Sequence, residues 1–396
     1  MRISPVHELH HGNCLDILRT MPDCSVDAVV TDPPYGLSFM GKKWDYDVPS
    51  TEIWAECLRV LKPGGYLLAF AGTRTQHRMA VRIEDAGFEI RDMLAWMYGS
   101  GFPKSHNVSI AIDKADGADR DIVGTNSNHR LGQSKGLPPG VAMTGQPHTG
   151  EGNITAPATD AAKQWQGWGT ALKPAMEPIT MARKPFKATV AQNVQEWGTG
   201  AINIDGCRIG ADDKCEPPKA GYKRHETDAA YAFAGDAKFQ TTGANIHPDT
   251  RWPANVLHDG SAEILQGMGE AARFFYTPKA CKDDRDDGCE MMDVKQYSHD
   301  GREKRLENTY QRNDSKAHNF HPTVKPTDLM RYLCRMVTPT GGIVLDPFTG
   351  SGSTGRGAVL EGFRFIGCEM DADYITIAKA RILAAEKAYQ PCLIFD

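Results

Sequence analysis

The chain has 396 residues, 40% of them hydrophobic, enough to bury a large core and to build more than one module. Its apolar runs are too short to span a bilayer and no charged-then-apolar stretch opens it, so a cytoplasmic protein is expected. A net charge of −5 supplies no overall basic field, which leaves any nucleic-acid binding to local clusters.

In chain order, the first strong element is the apolar run Val26-Asp27-Ala28-Val29-Val30-Thr31, read as a short buried strand. It stops in Asp32-Pro33-Pro34-Tyr35. The prolines fix φ and carry no N–H, so local carbonyls are free to point outward as acceptors. Asp32 and the Pro33 carbonyl can each accept one hydrogen from an exocyclic amine, and Tyr35 can stack on the ring that bears it. Read alone, the tetrapeptide is equally a Pro-Pro turn with Asp as turn former.

Thr51 to Leu61 has a helical pattern with Thr as cap, stopped by Lys62-Pro63-Gly64-Gly65. A strand is expected over Tyr66–Phe70, a helix over Thr75–Ala86 and a strand over Met93–Tyr98. From Gly99 to Gln166 periodicity is lost, and a long mobile loop beside the active site is expected. Within it, Lys104, Ser105, His106 and Asn107 suit DNA contacts. From Thr199 to about His318 the chain is polar with scattered aromatics, as in a small irregular domain. There Arg251-Trp252-Pro253-Ala254-Asn255-Val256 suggests a tight element. Arg273-Phe274-Phe275-Tyr276-Thr277-Pro278-Lys279 reads either as a nucleic-acid surface or as a core strand. Basic residues gather at Arg183, Lys184 and Lys187, and again at Arg302, Lys304, Arg305, Arg312 and Lys316. Either group is a phosphate-facing patch or ordinary solvated surface. The ten cysteines include no C-x-x-C pair. Cys281, Cys289, His299 and His318 have poor zinc spacing, and free thiols are expected.

Helices are expected over Thr327–Val337 and Ala372–Ala388. Between them, Ile343-Val344-Leu345 leads into Asp346-Pro347-Phe348-Thr349-Gly350-Ser351-Gly352-Ser353-Thr354-Gly355, then a helix, then a second strand ending in Glu369. Strand, glycine turn, helix, strand, acid is the mononucleotide-binding arrangement: glycines admit a ligand close to the backbone and the acid receives ribose hydroxyls. The three glycines also match G-x-G-x-x-G. However, Asp346-Pro347-Phe348 separates strand from glycines, and a carboxylate facing the ligand suits a sulfonium better than a pyrophosphate. No Gly-Lys-Ser/Thr follows, which excludes a P-loop.

Together the two anchors resemble the beta group of amino-methylating DNA methyltransferases, with the catalytic motif first and the cofactor motif last. His321-Pro322-Thr323-Val324-Lys325-Pro326 resembles the family's cofactor-flanking motif. Cys14 to Met21 resembles its first helix, and Trp168 to Pro185, centred on Glu177-Pro178-Ile179, its late strand. The resemblance implies an α/β fold: a Rossmann-like S-adenosylmethionine-dependent methyltransferase sheet in circularly permuted order, with an inserted irregular target-recognition region. The implied division is 1–98 catalytic half, 99–167 inserted loop, 168–198 late strand, 199–317 target recognition and 318–396 cofactor-binding half. The implied catalytic residues are Asp32, Pro33, Pro34 and Tyr35. Those implied for the cofactor are Asn13, Thr323, Lys325, Asp346, Phe348, Gly350, Gly352 and Glu369, with Thr323 and Lys325 toward the methionine carboxylate. The family usually has Gly-Asp where this chain has Gly12-Asn13, which keeps a hydrogen bond but not the charge.

The implied reaction is methyl transfer to N6 of a flipped adenine in double-stranded DNA, with N4 of cytosine as the alternative. Asp as the first motif residue leans toward adenine. A cytosine-C5 mechanism needs a Pro-Cys nucleophile, and the only such pair, Pro391-Cys392, is remote from the first anchor. A restriction endonuclease partner and the oligomeric state are left open.

Overall fold

The computed structural model describes residues 7–37, 45–99, 101, 105–125, 153–210, 250–276, 284–297 and 315–389. Its strands are β1 (His7–His11), β2 (Val26–Thr31), β3 (Leu61–Phe70), β4 (Glu89–Met97), β5 (Ile122–Thr125), β6 (Asn153–Thr155), β7 (Met176–Arg183), β8 (Ile209–Gly210), β9 (Thr250–Arg251), β10 (Val256–His258), β11 (Lys295–Tyr297), β12 (Ser315–Ala317), β13 (Ile343–Asp346) and β14 (Arg364–Glu369). The helices are α1 (Cys14–Thr20), α2 (Thr51–Val60), α3 (Gln76–Asp85), α4 (Val108–Ala115), α5 (Asp160–Gln164), α6 (Val190–Trp197), α7 (Ala262–Met268), α8 (Thr327–Val337), α9 (Ser353–Leu360) and α10 (Ala372–Ala388).

Every residue of β2 is buried, as an unbroken apolar run requires when both faces of a strand are covered. It lies inside an eight-stranded sheet of order β1-β14-β13-β2-β3-β7-β4-β10. Pairing is parallel except at β7, which runs antiparallel to both β3 and β4. The α/β sheet in permuted order agrees with what the resemblance implies; the antiparallel β7 was not part of that expectation. Strand parity divides the side chains. Ala28, Val30, Leu68, Phe70, Ile179, Met181 and Trp96 share one core with Leu329, Met330, Leu333 and Val337 of α8. Val29, Leu67 and Ala69 join the other, under Trp54 and Cys57 of α2 and Met79 and Ile83 of α3.

The sheet has its topological switch between β13 and β2. From β13 the chain crosses through α9 to β14 on one side; from β2 it crosses through α2 to β3 on the other. Helices diverge to opposite faces there, and in such sheets the carboxyl ends of the strands at this point are the usual place of a ligand crevice. β13 and β2 are direct neighbours, with Val344 opposite Ala28 and Leu345 opposite Val29. The two sequence anchors therefore emerge side by side, although more than 300 residues separate Thr31 from Asp346.

β2, α8, β13 and α10 lie where the sequence places them. Elsewhere there are corrections. β3 starts at Leu61 and not at Tyr66, taking in the Lys62-Pro63-Gly64-Gly65 before which α2 ends as expected. The antiparallel neighbour keeps it in register: Gly64 N–H donates to the Lys184 carbonyl and Lys184 N–H to that of Gly65. α2 is capped at Ser50, not by Thr51, and β4 starts earlier than expected, at Glu89. The 99–166 stretch read as a loop carries α4, the β5–β6 pair and α5; residues 100, 102–104 and 126–152 lie outside the described ones. Its anchor is polar. The carboxylate of Asp113, fully buried, accepts from Ala158 N, Thr159 N and Thr159 Oγ1. From the 199–317 stretch, β10 pairs with β4 at the sheet edge. Among the described residues no helix is long and apolar enough to cross a membrane.

Candidate active site

Asp32 directly follows β2 and shares the parity of Ala28 and Val30, so it faces the α8 side. The Tyr35 hydroxyl lies 2.7 Å from Asp32 Oδ1 and 3.0 Å from Glu177 Oε2. Lys325, in the segment just before α8, brings Nζ to 2.9 Å from Asp32 Oδ2, 3.0 Å from Glu177 Oε2 and 3.1 Å from the Tyr35 hydroxyl. Two carboxylates, a phenol and an ammonium thus form one cluster. It is largely dry: the Lys325 side chain is 8% exposed, those of Asp32 and Glu177 20% and 21%. Aromatic residues wall it. The ammonium stands 4.9 Å from the Phe70 ring centre, Phe70 meets Trp96 edge-on, and Trp96 packs on Tyr98.

Burial alone would lower the Lys325 pKa, but Asp32 and Glu177 override it and hold the group above its ordinary value. Burial, reinforced by the same two carboxylates, raises the Tyr35 phenol well above its usual range. Tyr98 is pushed up to about 12 by burial and then by Glu177. At neutral pH the lysine is charged and both phenols are protonated.

The tetrapeptide's backbone is held by Asp45, a buried acid that receives Tyr35 N–H at 2.6 Å, Gly36 N–H at 2.9 Å and Leu37 N–H at 3.2 Å. Nothing in the local sequence marks Asp45 out. From sequence, Glu177 is placed only at the centre of a strand. Its inward direction was legible, since Ile179 and Met181 share its parity and are apolar. Its position was not. Because β7 runs backwards, its first residues lie at the carboxyl edge of the parallel strands, with Glu177 opposite Trp96.

On the other side of the crevice, the buried carboxylate of Asp346 receives the Thr31 hydroxyl at 2.6 Å and Phe348 N–H at 3.0 Å. Burial pushes its pKa up to about 6 against these hydrogen bonds and one from Thr354, and Asp32 adds to the rise. The turn beyond needs glycine twice: Gly350 has φ +52° and Gly352 φ +80°, and a Cβ on Gly352 would lie 2.9 Å from the Ala378 Cα. A Cβ on Gly350 would lie 3.0 Å from His321 Nε2. Glu369 ends β14 and closes on the turn, accepting Gly350 N–H at 2.7 Å and Asp371 N–H at 2.8 Å. Burial raises its pKa. Arg381, fully buried, braces the turn from α10 by donating to the Ser351 carbonyl at 2.7 Å. His321, buried beside Gly350, is pushed down to about 4 and stays neutral. Phe348 packs edge-on against Trp54.

Of the residues expected at the cofactor, Asp346, Phe348, Gly350, Gly352 and Glu369 gather here. Lys325 instead directs its ammonium to the Asp32 cluster. Thr323 is exposed, and its carbonyl lies 2.8 Å from His321 Nδ1. Asn13 caps α1, its side chain accepting Leu15 N–H, while the adjacent Gly12 N–H donates to the Glu369 carbonyl. Tyr35, expected to stack, has its hydroxyl tied into the cluster.

The other candidates resolve differently. Arg183 is paired with Glu89 and lies over Phe186, and Lys184 Nζ donates to the Leu61 carbonyl, so neither is loose surface. Tyr276 stacks on Tyr332 at 3.8 Å between ring centres, the core reading. Lys104, 277–279, Cys281, His299, Arg302, Lys304, Arg305 and Arg312 lie outside the described residues. Among those described, no group of three or more His, Cys, Asp or Glu suits a metal ion, and seven cysteines are free.

A glycine turn with a strand-end acid and an acidic Asp-Pro-Pro-Tyr cluster thus flank one switch point of an α/β sheet. The chain belongs to the DNA methylase family of N6/N4 type, whose sequence model matches residues 26–380. It is 28% identical over 156 residues to the type II methyltransferase M.HindIII of Haemophilus influenzae, covering 38% of this chain and 37% of that one. The chain thus spans about a third of the length of the curated relatives it matches. Among solved structures it is similar to the M1.HpyAVI–SAM complex, at 16% identity and TM-score 0.39 over 95% of this chain and 99% of that one. It is also similar to the cytosine-N4-specific PvuII DNA methyltransferase, at 14% identity and TM-score 0.43 over 98% and 95%.

Proposed function

We propose that this protein is a site-specific DNA methyltransferase that moves a methyl group from S-adenosylmethionine to the exocyclic N6 of an adenine flipped out of double-stranded DNA. The observation that carries the reading is the hydrogen bond between Thr31 and Asp346, 2.6 Å across the β2–β13 switch point. It joins the amine-gripping edge to the glycine turn. M.HindIII is a type II methyltransferase, and membership in the N6/N4 family supports the same class.

The cofactor side fits its ligand chemically. Asp346 and Glu369 both have pKa values raised by burial, a penalty that a bound cation relieves. Asp346, Phe348, Gly350 and Gly352 would line the cofactor and Glu369 would take the ribose. Bound S-adenosylmethionine supplies an electrophilic methyl on a cationic sulfur. The chain supplies orientation. Asp32 and the Pro33 carbonyl accept the two N–H bonds of the target amine and draw its nitrogen toward tetrahedral geometry, which frees the lone pair. The Asp32 carboxylate then stabilises the positive charge that grows on nitrogen. No covalent enzyme intermediate is required. The partly exposed Tyr98 ring, backed by Trp96 and Phe70, offsets part of the unstacking cost of the flipped base. Residues 199–317 are the candidate target-recognition region.

N4 of cytosine presents the same amine and is the second reading; Asp32 as the leading residue favours adenine. Incubation of unmethylated DNA with tritiated cofactor, followed by nucleoside chromatography, tests both. Label in N6-methyladenine supports the proposal, label in N4-methylcytosine replaces adenine by cytosine, and no label removes the function.

A further inference from the structure

Glu177 is the acid of the cluster to which the amine-gripping scheme gives no task. In the resting site both oxygens of Asp32 are engaged, Oδ1 by the Tyr35 hydroxyl at 2.7 Å and Oδ2 by Lys325 at 2.9 Å. A target amine that takes up Asp32 must share an oxygen with one of these donors or displace it. Lys325 is the donor that matters, since it is a charged donor competing for the same carboxylate. It is also a positive charge beside an atom that becomes positive during transfer.

Glu177 removes both difficulties. Its Oε2 lies 3.0 Å from Lys325 Nζ and 3.0 Å from the Tyr35 hydroxyl, so each group can release Asp32 and keep a buried partner. A buried ammonium released with no such partner would be strongly disfavoured, and would therefore stay on Asp32. A second carboxylate also cancels the Lys325 charge and leaves that of Asp32 for the reacting nitrogen. The fixed place of Glu177 at the start of an antiparallel strand, opposite Trp96, makes it a rigid holder.

Resting on the amino-methylating reading, we infer that Glu177 is a positioning residue: it takes Lys325 off Asp32 and neutralises it, so that Asp32 is open to the target amine.

The test compares the unaltered chain with E177Q, E177D and the double variant E177Q/K325M in single-turnover transfer of tritiated methyl to unmethylated bacterial DNA. Cofactor affinity is measured alongside by calorimetry. E177Q keeps the shape and loses the charge; its transfer rate is expected to fall about a hundredfold with cofactor affinity within about twofold. E177D keeps the charge and is expected to be at least about tenfold faster than E177Q. The double variant carries neither charge and is likewise expected to recover at least about tenfold over E177Q, the opposite of what two lost packing contacts would give. An E177Q rate within about threefold of the unaltered chain overturns the proposal. So does a double variant no faster than E177Q. Should E177Q fail to bind cofactor through misfolding, E177D decides: loss of transfer there assigns Glu177 to packing and overturns the proposal. Absence of transfer by the unaltered chain removes the functional reading itself, whereas transfer by it and undiminished transfer by E177Q remove only the role of Glu177.

Discussion

The two sides of the crevice handle buried negative charge in opposite ways. Around Asp32, two carboxylates converge on a resident cation, Lys325. Around Asp346, the carboxylate is held by neutral donors, the Thr31 and Thr354 hydroxyls and the Phe348 amide, and its pKa is pushed up to about 6. The first side already holds a cation that offsets one of its two carboxylates before any ligand arrives. The second carries a desolvation cost that a cationic ligand would relieve. A neutral base on one side and a sulfonium on the other is the ligand pair that this asymmetry suits.

Four substitutions sharpen or break the comparison. The largest effect is expected from Asp32→Ala, which should lower methyl transfer on the order of a thousandfold with cofactor affinity preserved. Near-normal turnover of this variant in the tritium assay would remove Asp32 from the amine.

Asp346→Asn should weaken cofactor binding about tenfold or more, measured by calorimetry. The pH dependence follows from the raised carboxyl. The folded state keeps a proton between the ordinary aspartate range and about 6, so this stabilisation is present at low pH and lost as pH rises through about 6. Above pH 7 the variant should therefore be more stable than the unaltered chain, by up to about 3 kcal/mol, and melt at a higher temperature. Cofactor affinity of the unaltered chain should fall as pH drops below about 6, and that of the variant should not. A variant that binds as well and melts no higher would mean that Asp346 bears no such cost.

Gly352→Ala places a methyl 2.9 Å from the Ala378 Cα at φ +80°. A stability loss of about 1–3 kcal/mol is expected in denaturant melts, with cofactor affinity reduced in parallel. The smallest effect is reserved for Asn13→Ala. Asn13 is a helix cap, so about 1 kcal/mol of stability should go with little change in cofactor affinity. A large affinity loss would instead make Asn13 a ligand contact.

Much of this site was legible because its chemistry sits in contiguous motifs at strand ends. A buried run closed by Asp-Pro-Pro-Tyr, and another closed by Asp346 and a glycine turn, announce their position by pattern. What was illegible depends on contacts across the chain. Asp45 anchors the tetrapeptide through three amides that no periodicity reveals. Lys325 belongs to a motif that pointed to the cofactor, yet its reach from the segment before α8 ends at Asp32. The 99–166 stretch looked structureless because its anchor, Asp113, is polar, and hydrophobic patterning does not report polar cores.

The reversed strand has one more consequence. Met97 ends β4 directly opposite Met176, where β7 begins, and Tyr98 N–H donates to the Ala175 carbonyl at 3.0 Å. Gly101 comes so close to the Pro174 carbonyl oxygen that a Cβ there would sit 1.8 Å from it. The polypeptide thus departs and returns through a single narrow gate on the catalytic rim. Whatever is spliced between those two points can grow, shrink or be exchanged while the scaffold beneath keeps its geometry, which makes this gate the natural place to graft a foreign reading head.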